Sequence, residues 1–214
     1  MMTGKYTDLQ IIEDELDATF TNETEPSEQA VLRYIKEAEA RIDDTAGQRY
    51  DTHVVTDEVR DFDGQAFINT PPGLNSVQKI EWRSPPSTDW NELASDDFVV
   101  YPQFGRIERN KYKAKNWPVR GQQTLRLSYT LGDSDNIPVH IQELATDMVV
   151  YKVIKKALQQ EASVSGGDIR VGPITLRGSP TSLVERVNGL KDSIKERLAS
   201  LASARVYTSY DKEW

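Results

Sequence analysis

QTLRLSYTLGDSDNIPVHIQELATDMVVYKVIKKAL, residues 123–158, changes its apolar period part-way along. In the opening run, Leu125, Leu127, Tyr129 and Leu131 alternate with Thr124, Arg126, Ser128 and Thr130. That period of two places the two sets on opposite faces of a half-buried antiparallel strand. After the turn GDSDN and the helix-opening pair IP, the residues Ile141, Leu144, Met148, Val149, Val153, Ile154 and Leu158 recur at helical spacing. Their arc is too broad for a helix with one buried side, so the helix expected over about 138–162 belongs at the centre of a core.

Upstream of this stretch, residues 52–131 are rich in Val, Ile, Phe, Tyr and Trp and are punctuated by Gly and Pro. Asp63-Gly64 between VRDF and QAFIN is a hairpin signal. VQKIEWR reads as a strand with Ile80 and Trp82 on one face, and DDFVVYP with GRIERN as a second hairpin around PQFG. Before the strands come two helices. The first is expected to start at a capping box of Thr7 and Gln10, with Tyr6 and Ile11 as a hydrophobic staple and Ile11, Ile12, Leu16 and Phe20 as its apolar face. The second is expected over about 26–49, with Pro26 in its first turn and Val31, Tyr34, Ile35, Ala38 and Ile42 as its stripe. Glu37, Glu39, Asp43 and Asp44 then fall on a solvated face.

Downstream, SVSGGDIRVGPITLRGSP reads as a loop in which DIRV and ITL form short strands. A last helix starts near 179–182, with Pro180 in its first turn, Ser182 and Glu185 as a capping box, and Leu183, Val187, Leu190, Ile194, Leu198 and Leu201 as its stripe. RVYTSYDKEW closes the chain without a helical period. The expected fold is therefore α+β: a helical bundle (1–50 and 132–204), an antiparallel β-domain (51–131) inserted between the second and third helices, and a C-terminal docking tail (205–214).

The 214 residues are enough for one sizeable core, or one core with a smaller one inserted. A formal charge of −8 disfavours a broad grip on nucleic acid, which needs clustered Lys and Arg. Such a surface repels DNA weakly, which suits a wall that DNA slides past; the same charge also serves solubility alone, and fits a halophilic source. The absence of cysteine removes disulfides, zinc-thiolate sites and cysteine nucleophiles. The first twenty residues lack an uninterrupted apolar run, and no segment approaches a membrane span, so no leader, no membrane and synthesis in a cytoplasm are expected.

Motifs for chemistry are sparse. His53 and His140 have no second histidine at metal-ligand spacing, and HIQEL is not a zinc-protease motif. The glycine loop lacks the ending of a phosphate-binding loop and the spacing of a dinucleotide binder, and no nucleophile elbow is present. The acidic pairs Glu13/Asp14, Asp43/Asp44 and Asp96/Asp97 read as solvent-facing. Lys111, Lys113 and Lys115, interleaved with Tyr112 and Trp117, read as a solvated hairpin loop or a small nucleic-acid or partner patch, and Lys152, Lys155 and Lys156 as helix-end charge. No cofactor, metal site or catalytic residue is expected. Tyr207, Tyr210 and Trp214 lie on a segment with no core of its own; aromatic residues favour interface centres, so the tail is either a docking segment or a frayed terminus.

Three runs taken in order resemble the head-tail adaptor (connector) proteins of tailed viruses. INTPPGLNSVQKIEW (68–82) resembles the family's proline-containing turn and its following strand. DDFVVYPQFGRIERN (96–110) resembles the next hairpin. WPVRGQQTLRLSYTLGDSDNIPVHIQELATDMVVYKVI (117–154) resembles the strongest stretch, in which a "WP-x-G" turn leads to a strand, an "IP" helix start and a long apolar helix. The resemblance spans about 6–205. The loop after the third helix departs from the family's usual form, and the β-domain is larger than in its smallest members.

The resemblance implies a non-enzymatic structural protein of the virion neck, made in a host cytoplasm. It implies a homo-oligomeric ring, of twelve copies in the family, that links the portal protein to the tail or a stopper protein and lines a channel for DNA without sequence-specific binding. It implies portal binding by the C-terminal segment, here Leu198, Leu201, Arg205, Val206, Tyr207, Tyr210 and Trp214. Gly166, Gly167, Asp168, Arg170 and Arg177 become candidates for contacts with a neighbour or the channel. With the acidity, a virus of a halophilic archaeon is the expected source. The alternatives are a tail-completion or tail-terminator protein, a metal-dependent hydrolase built on Asp61, Asp63, Asp96 or Asp97, and a general protein-interaction module of a cellular host.

Overall fold

The computed structural model describes residues 4–84, 87–114, 116–160, 169–171, 174–176 and 180–210; for 160, 169–171, 174–176, 180–183 and 204–210 it describes the backbone alone. The fold is α+β. The chain divides into two compact units, one of Met1–Gly47 with Ile137–Trp214 and one of Gln48–Asn136.

The first unit is helical. Helix α1 spans Leu9–Leu16, α2 Glu28–Ala46, α3 Val139–Gln160 and α4 Pro180–Tyr210, with a short antiparallel pair, β8 (Ile169–Val171) and β9 (Ile174–Leu176), between α3 and α4. As the period of its sequence predicts, α3 is central: Ile141, Leu144, Met148, Val149, Val153 and Ile154 are buried, Leu158 is half-buried, and α1, α2 and α4 all pack on it. Ile12, Leu16 and Phe20 are buried around α1, and Val31, Ile35, Ala38 and Ile42 on α2.

Several local expectations are corrected. The N-cap of α1 is Asp8, whose carboxylate accepts the Ile11 N–H at 2.9 Å. Thr7 is buried instead, and its hydroxyl bonds that of Thr146 on α3 at 2.9 Å. The frame therefore shifts by one residue, so Ile11 is exposed rather than stapled. Helix α2 is capped by Ser27, with Pro26 outside its first turn. Ser182 lies inside α4 rather than at its cap.

Glu39 departs furthest from its expected solvated face. It is buried and accepts the backbone N–H groups of Lys5 and Tyr6, the latter at 2.9 Å. One turn on, Asp43 accepts the Tyr6 hydroxyl and lies 3.4 Å from Lys5 Nζ. The two carboxylates thus fasten the segment before α1 to α2. Burial, offset by those two backbone donors, pushes the Glu39 carboxyl above its ordinary value.

The second unit is built from two antiparallel sheets. Strands β1 (His53–Phe62), β7 (Gly121–Leu131), β3 (Leu74–Trp82) and β4 (Asn91–Glu92) form one in that order; β2 (Phe67–Asn69), β6 (Arg106–Arg109) and β5 (Phe98–Tyr101) form the other. The inner faces share one core in which Leu125, Leu127, Tyr129 and Leu131 of β7 join Ile80 of β3, Ile68 of β2 and Ile107 of β6, with Trp82 packed against them. The alternation in β7 is as read, except that Thr124 and Thr130 on the other face are buried too. Their hydroxyls are satisfied locally: Thr124 donates to the Gly121 carbonyl at 3.1 Å, and Thr130 accepts Gln78 Nε2 at 2.6 Å.

The β5–β6 hairpin forms as expected, turning through Pro102–Phe104 into Gly105 at φ 55°. The hairpin expected at Asp63-Gly64 does not. The turn exists, with Gly64 at φ 86°, but β1 pairs with β7 and β2 with β6, so it carries the chain from one sheet to the other. Arg60 clasps the sheets together: it donates to the Asn69 carbonyl of β2 at 2.8 Å and to the Tyr129 hydroxyl at 3.1 Å, and lies 2.6 Å from Glu58.

Candidate functional site

The site to which the sequence points is the far end of α4. Proline suits the first position of this helix, where a backbone N–H would be unpaired anyway. Val187, Ile194 and Leu198 are buried and Leu190 and Leu201 half-buried, the face that packs on α3 and α2. Leu198, 7% exposed, belongs to this packed face.

Beside it lies a residue that periodicity cannot reveal. Arg197 Nη1 donates to Asp147 Oδ2 at 2.6 Å, and Nη2 to the His140 carbonyl at 2.9 Å and to Glu143 Oε2 at 3.4 Å. A planar guanidinium meets three acceptors on α3 at once and sets the register of α4 on its neighbour. Burial raises the Asp147 carboxyl above its usual value against the opposing pull of Arg197. A lone arginine among charged positions of a helix carries no signal in sequence; the i, i+4 spacing of Glu143 and Asp147 was the available hint.

The expected irregular tail is corrected by the backbone: α4 runs without a break to Tyr210. Arg205, Val206, Tyr207 and Tyr210 thus sit on its last turns, and Trp214 lies outside the described residues. Of the loop candidates, Arg170 is on β8, paired with Thr175 of β9, whereas Gly166, Gly167, Asp168 and Arg177 lie outside the described residues.

The remaining charged motifs are placed as follows. Lys113 lies 3.3 Å from Asp96, Tyr112 is almost fully exposed, and Lys115 is outside the described residues. Trp117 instead packs edge-on to Phe62 at 6.4 Å and donates Nε1 to the Gln65 carbonyl at 2.8 Å, so it belongs to the β core rather than to a basic patch. Asp61 accepts the Gln123 N–H at 2.8 Å and Asp63 the Gln65 N–H at 3.1 Å. Among the described residues no three His, Asp or Glu side chains gather as metal ligands. No helix is long and apolar enough to cross a membrane among the described residues.

No protein-family model matches the chain, and no curated protein does. Among solved structures it is similar to a chain titled "Neck of empty GTA particle computed with C6 symmetry", at TM-score 0.45 and 13% identity over 74% of this chain and 77% of that one. A second, titled "Virion of native gene transfer agent (GTA) particle", matches at TM-score 0.45 and 12% identity over 74% and 76%. A third, "Neck of native GTA particle computed with C12 symmetry", matches at TM-score 0.44 and 14% identity over 84% and 86%. None of these comparisons lends support to a halophilic archaeal source.

Proposed function

We propose that this chain is a head-tail adaptor of a virus-like particle: a non-enzymatic neck protein that assembles as a ring beneath the portal, joins it to the tail or a stopper, and surrounds the path of DNA. The carrying observation is the order of the resembling segments along the chain. The turn-strand run at 68–82 ends in β3, the run at 96–110 is the β5–β6 hairpin, and the run at 117–154 is β7 passing directly into the central helix α3. Each piece is generic; their order is not. In this reading the β unit is an insertion between α2 and α3 of the helical bundle.

A heterologous ring needs two different patches on each subunit and a rotation that closes. Portal binding falls to the end of α4, presented as a helix rather than an irregular tail. Helices that carry a partner-binding face read out as side chains three and four apart. Val206, Tyr207 and Tyr210 have that spacing through the pairs 206/210 and 207/210, with Arg205 beside them in sequence. Leu198 and Leu201 support this end from the core side.

Co-sedimentation with the portal ring of the same genome tests the reading. Full-length chain is expected to pellet with portal at near-equal subunit ratio, and a chain ending before Arg205 to stay in the supernatant. Full-length chain that remains in the supernatant, or that pellets with tail subunits instead, overturns it in favour of a tail-completion role.

A further inference from the structure

The helical unit carries charge of both signs in two separate places. On α3, Lys152, Lys155 and Lys156 follow Tyr151, and α2 brings Arg33 and Tyr34 beside them. Lys152 Nζ lies 2.7 Å from Glu37 and 5.6 Å from the Tyr34 ring, and the Arg33 guanidinium lies 5.6 Å from the same ring. Lys155 Nζ lies 5.7 Å from the Tyr151 ring. The rings thus hold cationic groups over their faces. Glu37 serves both Lys152 and Arg33, and the hydrogen bond from Lys152 is the main cause holding its carboxyl below its ordinary value. Lys155 and Lys156 have no ion pair among the described residues.

The opposite sign collects on α1. Glu13, Asp14, Glu15 and Asp17 form no ion pair among the described residues. Glu13 accepts the Phe20 N–H at 2.7 Å and Asp14 accepts Gln10 Nε2 at 2.8 Å, so two of the four are held in place. With Asp17, Ala18 and Thr19 they line an open depression.

These two places lie on different elements, the basic one on α2 and α3 and the acidic one on α1. The segment leading into α1 is tied to α3 at Thr146. Lys155 follows nine residues later, which is about 180° around an α-helix and about 13 Å along it. The basic and acidic faces form no ion pair with each other among the described residues, and each is the complement of the other.

We propose that the two faces meet between copies: the basic, aromatic face of α2 and α3 on one chain seats against the acidic α1 face of the next. This rests on the ring reading and names its subunit contact. The contact is heterologous, as ring closure demands, and long lysine side chains suit a shallow acidic depression. A second copy fits the page better than nucleic acid does. The chain supplies the complementary acid itself, and so small a cluster of cations on a chain of charge −8 gives a slight phosphate footprint.

The chain has no cysteine, so single cysteines report the contact cleanly. Asp14→Cys and Lys155→Cys chains, mixed under assembling conditions with a short bismaleimide, are expected to give a crosslinked pair that neither gives alone. The double variant is expected to give a ladder of multiples. In parallel, Lys155→Glu with Lys156→Glu is expected to weaken self-association at least tenfold at low salt, with recovery on mixing with Asp14→Lys/Asp17→Lys chain; circular dichroism checks that each variant folds. Rings that form on portal without the 14–155 crosslink overturn this contact and leave the ring reading intact. A crosslink from Asp14→Cys chain alone overturns it in favour of a two-fold contact. Chains that never associate, with or without portal, overturn both. Loss of DNA retention rather than of self-association in the lysine variant assigns the face to nucleic acid and overturns the proposal.

Discussion

Glu81 sits buried on β3 with Arg126 Nε 2.6 Å away on β7 and Lys79 Nζ 2.8 Å away. The Arg126 hydrogen bond is the main cause holding its carboxyl below the ordinary 4.5, against the cost of burial. A folded-state pKa below the unfolded one means stability that is complete above about 4.5 and lost as pH falls through the lower value. Glu39 and Asp147 work the other way: their raised carboxyls cost stability at neutral pH, and that cost is relieved as they protonate. Glu81→Gln is expected to cost about 1–3 kcal/mol at pH 7 and to flatten the acid limb of stability against pH, read by urea denaturation. Tyr129 gives a second titration. Burial first, and its hydrogen bond to Glu58 second, push its hydroxyl up to about 12. Stability from this group is full below pH 10 and fades as pH rises from there through 12. Ultraviolet titration is expected to show a late tyrosinate step that disappears in Tyr129→Phe. None of these pairings was legible beforehand. The period-2 pattern places Tyr129 in the core, but its partners Glu58 and Arg60 come from a strand distant in sequence.

Among the elements, the long periodic ones were legible and the short or long-range ones were not. Helix α3 announces itself because a broad apolar arc admits no other structure, and β7 because strict alternation fits only a strand. Asp63-Gly64 misled because a turn dipeptide specifies a reversal but not which strand is its partner; β7, with four apolar residues to bury, takes β1 instead. Asp8 displaced Thr7 as cap because both residue types cap well and the choice is settled by Thr146, far along the chain. The closing RVYTSYDKEW lacks an apolar period, yet α4 continues into it; helix propagation past the packed stripe costs little once the nucleus exists. Gly189 lies mid-helix on α4 with nothing within 4 Å of an added Cβ. Gly189→Ala is expected to stabilise the protein by about 0.5–1 kcal/mol, read by thermal or urea denaturation. Arg197→Ala is expected to cost about 1–3 kcal/mol by leaving Asp147 partly buried without its cation.

At the scale of the molecule, the β unit closes on itself where the chain enters and leaves it. The Thr52 N–H donates to Ser134 Oγ at 2.8 Å, the Ser134 N–H to Thr52 Oγ1 at 2.9 Å, and the Asp133 N–H to the Tyr50 carbonyl at 2.9 Å. Gly132 is needed there: at φ 66°, a Cβ would lie 2.1 Å from the Asp51 carbonyl oxygen. With its ends fastened and its own core, residues 48–136 expressed alone are expected to unfold cooperatively in urea and to give a dispersed amide spectrum; a collapsed, undispersed spectrum would show that the unit depends on the helices. The proposed function is read from an ordered resemblance and not from a site, because the binding surfaces of ring-forming proteins in general are spread over many ordinary side chains rather than gathered in one chemical motif. The most direct test of the neck assignment is gold-labelled antibody against this chain on intact particles, seen by electron microscopy. Label confined to the junction of head and tail is the expected result; label at the far end of the tail, or particles that carry none of the protein, would contradict the account.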